Sequence, residues 1–303
     1  MPSRPTATYS IVAVDRKSRQ MGIAVQSHWF SVGSMVTWAE PGVGVVATQS
    51  FVETSYGPLG LALMKGGKSP QQALKSLLAT DPRPEVRQVA MLDARGRVAV
   101  HTGEKCVPEA GHVRGRGFAA QANLMRNRKV WRAMARALRR SKGSLAGRLM
   151  NALDAAEEAG GDRRGRQSAA MLIVRTMASS TPWQDRILEL RVEDHTEPLR
   201  ELRRLVRIQE AYEHANMGDD FLAKGRTEDA LREYARASER APELEELKFW
   251  RAVTMLNIGR VAEGRTLLKR LYSKNKEWKH LLRVLPRVNM LKVDRETSRR
   301  LTK

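Results

Sequence analysis

The sequence predicts an α+β domain over residues 8–208, an all-α region over residues 209–287 and a basic tail over residues 288–303. Three observations support this division. Apolar and polar residues alternate in paired runs joined by short polar turns, a pattern typical of antiparallel strands. Helical periodicity interrupts these runs, and this order favours antiparallel sheets with helices outside them over a doubly wound parallel sheet. From Ala211 onward the spacing is helical alone.

The first elements of the domain are predicted strands. Residues 8–14 and 21–27 flank the polar turn DRKSRQ, and their alternation predicts a hairpin led by Thr8. Two β-rich runs follow, SVGSMVTW and GVGVVATQS, with Pro41 between them. We therefore expect the first 50 residues to form a sheet.

The rest of the domain alternates between predicted helices and strands. Apolar residues at helical spacing predict helices over residues 59–65, 70–78, 128–139 and 145–159. Runs rich in β-formers predict strands over residues 86–93, 98–102, 168–174 and 186–192. The best defined helix start is Ser69-Pro70, because serine caps a helix and proline fits its first turn.

Composition excludes several classes of protein. Cys106 is the only cysteine, so an internal disulfide is excluded, and the lack of zinc-spaced Cys/His clusters predicts no metal and no cofactor. The longest apolar run, residues 42–48, is too short for a membrane span. Residues 1–7, MPSRPTA, lack the apolar stretch of an export signal, so we expect a cytoplasmic protein.

The formal net charge of +21 is the most unusual bulk property. A field of this sign attracts nucleic acid, acidic membranes or acidic proteins. The basic residues are spread along the chain, however, and the aromatics that would stack on single-stranded bases make up only 5% of it. We therefore expect neither nucleic-acid nor membrane binding, and an RNA-associated factor is the third-ranked class, suggested by charge alone.

The helical region carries a 34-residue echo, the period of the tetratricopeptide repeat. The offsets that this motif reserves for small, aromatic and helix-ending residues hold Gly218, Phe221, Gly225, Ala230, Tyr234, Ala237 and Pro242. The region therefore resembles a pair of such repeats, and an ordinary helical hairpin is the alternative. Two repeats are fewer than a free-standing solenoid needs. We expect the region to pack on the first domain, on itself or on a second subunit, giving a protein partner or a homo-oligomer.

Eight segments of the first domain follow one another in an order that resembles a known family. They are TYSIVAVD, GVGVVATQ, YGPLGL, EVRQVAMLD, Gly111-His112, QANLM, GDRRGRQSAA and RVEDH. Together they resemble the bacterial and archaeal family called domain of unknown function 1028. Members of that family are similar in fold to the N-terminal-nucleophile hydrolases, and the resemblance implies a four-layer αββα sandwich.

The same resemblance implies a nucleophile at Thr8. In that superfamily the first residue of the mature chain attacks the substrate, and its own α-amino group is the general base. An amine with a pKa of about 8 accepts a proton near neutral pH, so such a site needs no catalytic histidine. Here MPSRPTA precedes Thr8, so its amine is free only after cleavage between Ala7 and Thr8, by the protein itself or by a protease. The alternative is that Thr8 only begins a strand.

Other polar residues are candidates by their chemistry. The side-chain amides of Gln49, Gln121 and Asn123 are able to donate to a developing oxyanion, or instead to satisfy backbone groups. Ser27 ends the second strand, so the hairpin would bring it near Thr8, where it could position the amine.

A second group of candidates surrounds the strand predicted at residues 168–174. Asp162 and Arg164 precede it and could orient the site as a pair, or Arg164 could clamp a substrate carboxylate, while a structural pair is equally open. Gln167 and Ser168 lie at the start of this strand. His112 falls in a glycine-containing segment that we expect to be a mobile loop.

The leading hypothesis is an amidohydrolase that cleaves a C–N bond of a small substrate by acyl transfer to Thr8. The alternative is a non-catalytic scaffold whose helical region binds a protein partner. In the first case the expected catalytic residues are Thr8, Ser27, Gln49, Asn123 and Asp162. The expected substrate-binding residues are Gln121, His112, Arg164, Gln167 and Ser168.

Overall fold

A computed structural model describes residues 5–301, apart from the side chain of Arg295. Residues 1–4 of the segment that precedes Thr8 (residues 1–7, here called the leader) and the last two residues of the predicted basic tail lie outside this range. The chain divides into two compact units, Met1–Val206 and Arg207–Lys303. Among the described residues, the strands belong to the first unit, so the protein is a mixed α+β chain with a helical C-terminal region.

The strands of the first unit form two antiparallel sheets. In chain order they are β1 (Thr8–Asp15), β2 (Gln20–Ser27), β3 (Thr37–Glu40), β4 (Gly44–Ser50), β5 (Arg87–Asp93), β6 (Val98–Thr102), β7 (Gly111–Gly115), β8 (Phe118–Asn123), β9 (Ser168–Arg175) and β10 (Arg186–Val192). One sheet has six strands in the order β10-β9-β2-β1-β8-β7, and the other has four in the order β3-β4-β5-β6. The strand led by Thr8 is therefore internal to the larger sheet.

Helices cover the outer faces of both sheets. Those that begin in the first unit are α1 (Gly33–Val36), α2 (Tyr56–Lys65), α3 (Pro70–Thr80), α4 (Val130–Arg140), α5 (Leu145–Glu158) and α6 (Pro198–Ala223). The predicted cap of α3 is confirmed, since the Ser69 hydroxyl accepts from the Gln72 backbone amide. Apolar residues of α2 and α3 pack on the four-stranded sheet, and those of α4 and α5 pack on the six-stranded sheet.

The inner faces of the two sheets meet in a separate core. Val12 of β1 packs there with Val45 and Leu92 of the opposite sheet, whereas Ile11 belongs to the core that contains α4 and α5. Because successive side chains of a strand point to opposite faces, Thr8 shares the inner face with Val12. The first residue of β1 is thus placed between the sheets.

Three sequence expectations for this unit need correction. Residues 33–36 form a helical turn rather than a strand, following Ser31 at a φ of 53°. The first 50 residues do not form one sheet, because β1 and β2 belong to the larger sheet while β3 and β4 belong to the smaller one. His112 lies in strand β7, which pairs with β8, and not in a mobile loop.

The second unit is helical over its described residues. It contains the remainder of α6, then α7 (Thr227–Arg240), α8 (Glu245–Asn257), α9 (Val261–Tyr272), α10 (Glu277–Val284) and α11 (Arg295–Leu301). Gly225 and Gly259, which are 34 residues apart, both have positive φ, 72° and 84°, in the turns after α6 and α8. Gly218 lies against Tyr234, where a Cβ would come within 2.6 Å of the ring. Within the predicted basic tail, Leu291 and Leu301 are buried.

No helix in the described part of the chain combines the length and the apolar character that a membrane crossing requires.

Candidate active site

Thr8 lies at the centre of a buried polar cluster between the sheets. It pairs across β1 with Ser27 of β2 on one side and with Asn123 of β8 on the other. The Thr8 hydroxyl donates to the carbonyl oxygen of Thr6 at 2.9 Å, and its Oγ1 is 3.3 Å from Ser27 Oγ. The residue is fully buried. A hydroxyl held in this way is shielded from bulk water.

The peptide bond between Ala7 and Thr8 is held by a side chain of β2 and by a side chain of the loop before β9. The Ala7 carbonyl oxygen accepts from the Ser27 hydroxyl in a short contact and from Arg164 Nη2 at 3.0 Å. Hydrogen-bond donors at a carbonyl oxygen stabilise the negative charge that develops there when a nucleophile adds to the carbon. The arrangement therefore has the parts of an oxyanion site next to a hydroxyl.

Asp162 fixes the guanidinium of Arg164. Its carboxylate accepts from Arg164 Nε at 3.3 Å and Nη2 at 3.0 Å, and its side chain is fully buried. The backbone amides of His28 and Arg164 also donate to this carboxylate, at 3.0 and 2.9 Å. A buried carboxylate satisfied by four donors is a rigid anchor. Asp162 thus orients Arg164 toward the Ala7 carbonyl.

Side-chain amides continue the cluster into the smaller sheet. Gln49 Nε2 donates to the Thr8 carbonyl oxygen at 3.1 Å and to Gln88 Oε1 at 2.7 Å. Asn123 Nδ2 donates to the same Gln88 oxygen at 3.0 Å, and the Ser10 hydroxyl donates to Gln49 Oε1 at 2.6 Å. The sequence predicts Gln49 and Asn123 as oxyanion donors. In the structure the Gln49 amide instead donates to the Thr8 backbone and to Gln88, and the Asn123 amide donates to Gln88.

Gln121 and His112 lie farther along the same network. Gln121 Nε2 donates to the Ala47 carbonyl oxygen at 3.1 Å and to Ser10 Oγ at 3.3 Å. His112 Nδ1 is 2.8 Å from Thr102 Oγ1, which in turn accepts from Gln88 Nε2 at 3.0 Å. Burial, with smaller contributions from His101 and Arg114, lowers the pKa of His112 and favours its neutral form. These hydrogen bonds reach Thr8 only through intervening side chains.

A pocket of about 600 Å³ lies beside Pro5 and Arg164, and neither Ala7 nor Thr8 is among its lining residues. Its walls are formed by Pro5, His28, Trp29, Phe30, Leu124, Arg164 and Gln167. The hydroxyl of Ser168 holds the loop that contributes three of these residues, since it contacts the Trp29 carbonyl oxygen closely and accepts from the Val32 amide at 3.1 Å. Gln167 donates from Nε2 to Asp194 Oδ1 at 3.1 Å. Small-molecule sites are commonly of this size.

Two residues beside the site have backbone conformations that are unusual for non-glycine residues. Ser50 follows Gln49 with a φ of 74°, and Leu124 follows Asn123 with a φ of 57°. Such conformations cost about 1–3 kcal/mol each and cluster at functional sites. Ser50 is the last residue of β4 and Leu124 directly follows β8, and both strands carry members of the polar cluster. The strain therefore coincides with the pocket and with the residues around Thr8.

The sequence did not single out several residues of this cluster. Gln88 lies second in a fully buried strand whose polar residues, Arg87, Gln88 and Asp93, stand only at its two ends and give no periodic signal. His28, Trp29 and Phe30 directly follow Ser27, so the predicted hairpin already places them at the end of the sheet where Thr8 lies. Thr6 lies in the segment before Thr8, where no sequence pattern indicated site residues.

Substituting Gln88 with leucine should destabilise the first unit. The change removes the acceptor of Asn123 Nδ2 and of Gln49 Nε2, and leaving a buried donor unpaired costs about 1–3 kcal/mol. Urea unfolding at neutral pH measures the loss. Gln71→Leu, at an exposed position of α3, is the matched control and should change the free energy of unfolding by less than about 0.5 kcal/mol. Equal stability of the two variants would contradict the role given to Gln88.

The described residues lack a cluster of side chains that could bind a metal ion. No group of three or more His, Cys, Asp or Glu side chains able to hold a metal ion occurs among the described residues. Burial raises the pKa of Cys106, and its Sγ donates to the Arg87 carbonyl oxygen at 3.3 Å. The thiol is therefore poorly suited to act as a thiolate nucleophile at neutral pH.

The fold of this chain is similar to that of a solved protein structure. The chain is similar to a crystal structure of a protein from Silicibacter pomeroyi that carries the DUF1028 family model. The two share 28% sequence identity with a TM-score of 0.60, over 67% of this chain and 88% of that chain. No curated protein sequence matches this chain.

The family model itself matches residues 8–202. The chain belongs to this family, the family of unknown function DUF1028, as the eight sequence segments indicated. The match begins at Thr8, the residue at the centre of the buried cluster.

Proposed function

We propose that this protein is an amidohydrolase of the N-terminal-nucleophile type, with Thr8 as the nucleophile after cleavage of the Ala7–Thr8 bond. One observation carries the proposal: the Thr8 hydroxyl lies beside a carbonyl whose oxygen accepts from Ser27 and Arg164. The packing of two facing sheets between outer helices supports a four-layer αββα sandwich of that superfamily.

Cleavage would proceed by an N-to-O acyl shift. The Thr8 hydroxyl oxygen adds to the Ala7 carbonyl carbon, and the oxyanion is stabilised by Ser27 and Arg164. The C–N bond then breaks, the hydroxyl proton passes to the departing Thr8 nitrogen, and an ester joins Ala7 to Thr8 Oγ1. Water hydrolyses the ester and leaves a carboxylate on Ala7 and a free amine on Thr8.

The freed amine would serve as the general base for substrate turnover. It accepts the Thr8 hydroxyl proton as the oxygen attacks a substrate amide, and it returns that proton to the leaving amine. Water then hydrolyses the acyl-enzyme. The Gln49 contact to the Thr8 carbonyl oxygen and the Ser27 contact across the hairpin would hold the backbone and hydroxyl in place during both steps.

The mature N-terminus tests this proposal directly. We expect the intact mass of the purified full-length chain to show loss of residues 1–7, with N-terminal sequencing beginning at Thr8. A chain that keeps its leader while the preparation hydrolyses amides would overturn Thr8 as the nucleophile.

Arg164→Met should slow the cleavage, because it removes one of the two donors to the Ala7 carbonyl oxygen. Loss of one such donor costs about 10²-fold to 10³-fold in rate in other acyl-transfer sites. A time course of intact mass after expression at low temperature measures the cleaved fraction. The neighbouring Arg163→Met is the matched control and should be cleaved at the wild-type rate, since the hydrogen bond to the Ala7 carbonyl oxygen comes from Arg164. Equal rates for both variants would count against an oxyanion role for Arg164.

The helical unit supports a second candidate function, protein binding by a tetratricopeptide-like repeat pair. A pocket of about 370 Å³ in this unit is lined by aromatic residues that include Tyr212, Tyr234 and Trp250. If the bound protein is a second copy of this chain, light scattering of the full chain should give a mass of more than one protomer, and Asn216→Arg at the pocket should lower it. A single-chain mass for both proteins would exclude self-assembly through this pocket.

A further inference from the structure

We infer that the substrates of the Thr8 site are short peptides or peptidyl amides with a small residue before the cleaved bond, bound as an extended strand. The inference rests on the proposed function and adds the substrate class to it. It comes from residues 5–7, which the structure places in the site. The leader is a peptide, and each of its last three residues makes a different kind of contact.

The leader occupies the place where an acyl group must lie. The same hydroxyl would attack the Ala7 carbonyl during cleavage and a substrate carbonyl during turnover. A substrate acyl group must therefore place its carbonyl carbon near Thr8 Oγ1 and its oxygen near donors. The Ser27 hydroxyl and Arg164 Nη2 already hold a carbonyl oxygen in this position. Residues 5–7 thus trace the path of the acyl side of a substrate.

The residue before the cleaved bond must be small. Ala7 is completely buried, so its methyl group is enclosed by protein. Overfilling a packed site forces neighbouring side chains and backbone to move, at a cost of about 1–3 kcal/mol. An alanine or a residue of similar size fits here, and an aromatic side chain does not.

The next residue is recognised through its backbone. The Thr6 amide donates to the Ser50 carbonyl oxygen at 2.7 Å, and the two residues form an antiparallel bridge. Thr6 is fully buried, but its Oγ1 finds no hydrogen-bond partner in the described part of the chain. Hydrogen bonding at this position is therefore to the peptide backbone and not to the side-chain hydroxyl, as in other cases of strand addition. A simple small amide without a second peptide group cannot make it.

Pro5, the third residue before the cleaved bond, lines an open pocket. Pro5 lines the pocket of about 600 Å³ together with Trp29, Phe30 and Leu124. These side chains present apolar and aromatic surface, so the third position accommodates a bulky apolar group. The site therefore accepts only a small side chain at the position of Ala7 and a larger one at the position of Pro5.

The experiment compares three fluorogenic amides on the chain that begins at Thr8. They are the aminomethylcoumarin amides of acetyl-Pro-Thr-Ala, of acetyl-Pro-Thr-Phe and of acetyl-Ala. We expect kcat/KM for the alanine tripeptide to exceed both others by at least about tenfold, the discrimination that one ill-fitting group or one lost contact provides. Equal rates for the phenylalanine tripeptide, or for acetyl-Ala, would overturn the inference.

A covalent probe separates failure of this inference from failure of the proposed function. A β-lactone acylates an activated N-terminal hydroxyl, and peptide mapping by mass spectrometry locates the adduct. Acylation of Thr8 without hydrolysis of the tripeptide would overturn the substrate class and leave the nucleophile standing. No acylation on a chain whose first residue is Thr8 would overturn both.

Discussion

Replacing Thr8 with alanine is expected to leave the full chain uncleaved and to lower kcat/KM for any amide substrate by at least about 10³-fold. The methyl group keeps the strand but removes the only atom that attacks the carbonyl, and loss of a nucleophile typically costs at least this much. Intact mass reports cleavage, and a fluorogenic amide reports turnover. Because Thr8 begins β1 between β2 and β8, the fold should be unchanged by the loss of one hydroxyl.

Two further variants define how the Thr8 result is interpreted. Thr8→Ser keeps a hydroxyl and should be cleaved, at a reduced rate, because the smaller side chain is less restricted around χ1. Ser10→Ala lies on the same face of β1 and removes a hydroxyl that donates to Gln49 but does not touch the Ala7–Thr8 bond, so it should still be cleaved at Thr8. Cleavage of Thr8→Ala at the wild-type site would assign the cut to a protease, and unaltered turnover by that variant would exclude Thr8 as the nucleophile.

The sequence predicted elements best where the local pattern was strong. β1 and β2 alternate sharply around a polar turn, and α3 carries its own cap, so these were identified with bounds close to the observed ones. β8 was missed because FAAQAN is rich in alanine, which has low strand propensity, although it is the strand that pairs with β1. Its position is determined by packing between β1 and β7, which no local pattern records.

The candidate site shows the same division between local and long-range information. Ser27 was expected near Thr8 because a hairpin brings the end of β2 to the start of β1, and the structure pairs the two residues. The contact between Arg164 and the Ala7 carbonyl joins residues 157 positions apart. Gln88 joins Gln49 to Asn123 across the two sheets, so its role follows from how the sheets face each other. The sequence alone identifies residues with suitable chemistry, but their hydrogen-bond partners depend on how the two sheets pack.

Arg87 forms the buried ion pair that fixes the end of β4, where the leader bridges Ser50. Its Nε and Nη2 donate to the Asp81 carboxylate at 2.7 and 3.2 Å, and its Nη1 donates to the Phe51 carbonyl oxygen at 2.6 Å. The Tyr56 hydroxyl donates to the same carboxylate at 2.9 Å. Both charged side chains are only 4% exposed, so neither is compensated by water.

Arg87→Met is therefore expected to lower the free energy of unfolding by about 3–5 kcal/mol, the usual cost of leaving one charge of a buried pair without its partner. Urea unfolding at pH 7 measures the change, and the exposed Arg95→Met is the matched control. Methionine fills much of the volume of the arginine stem, so a loss of this size reports the charge. A loss below about 1 kcal/mol would show that solvent reaches Asp81.

The pH dependence of that loss provides an independent check. Burial opposes ionisation of Asp81, but the hydrogen bonds from Arg87, Arg83 and Tyr56 outweigh it and lower the pKa of its carboxyl. A carboxyl with a lowered folded-state pKa contributes stability above its unfolded-state pKa, and this contribution is lost as the pH falls through the folded-state value. In Arg87→Met the carboxyl loses its cation and protonates more readily. The stability difference between wild type and variant should therefore shrink below about pH 4, and a constant difference would assign the effect to packing.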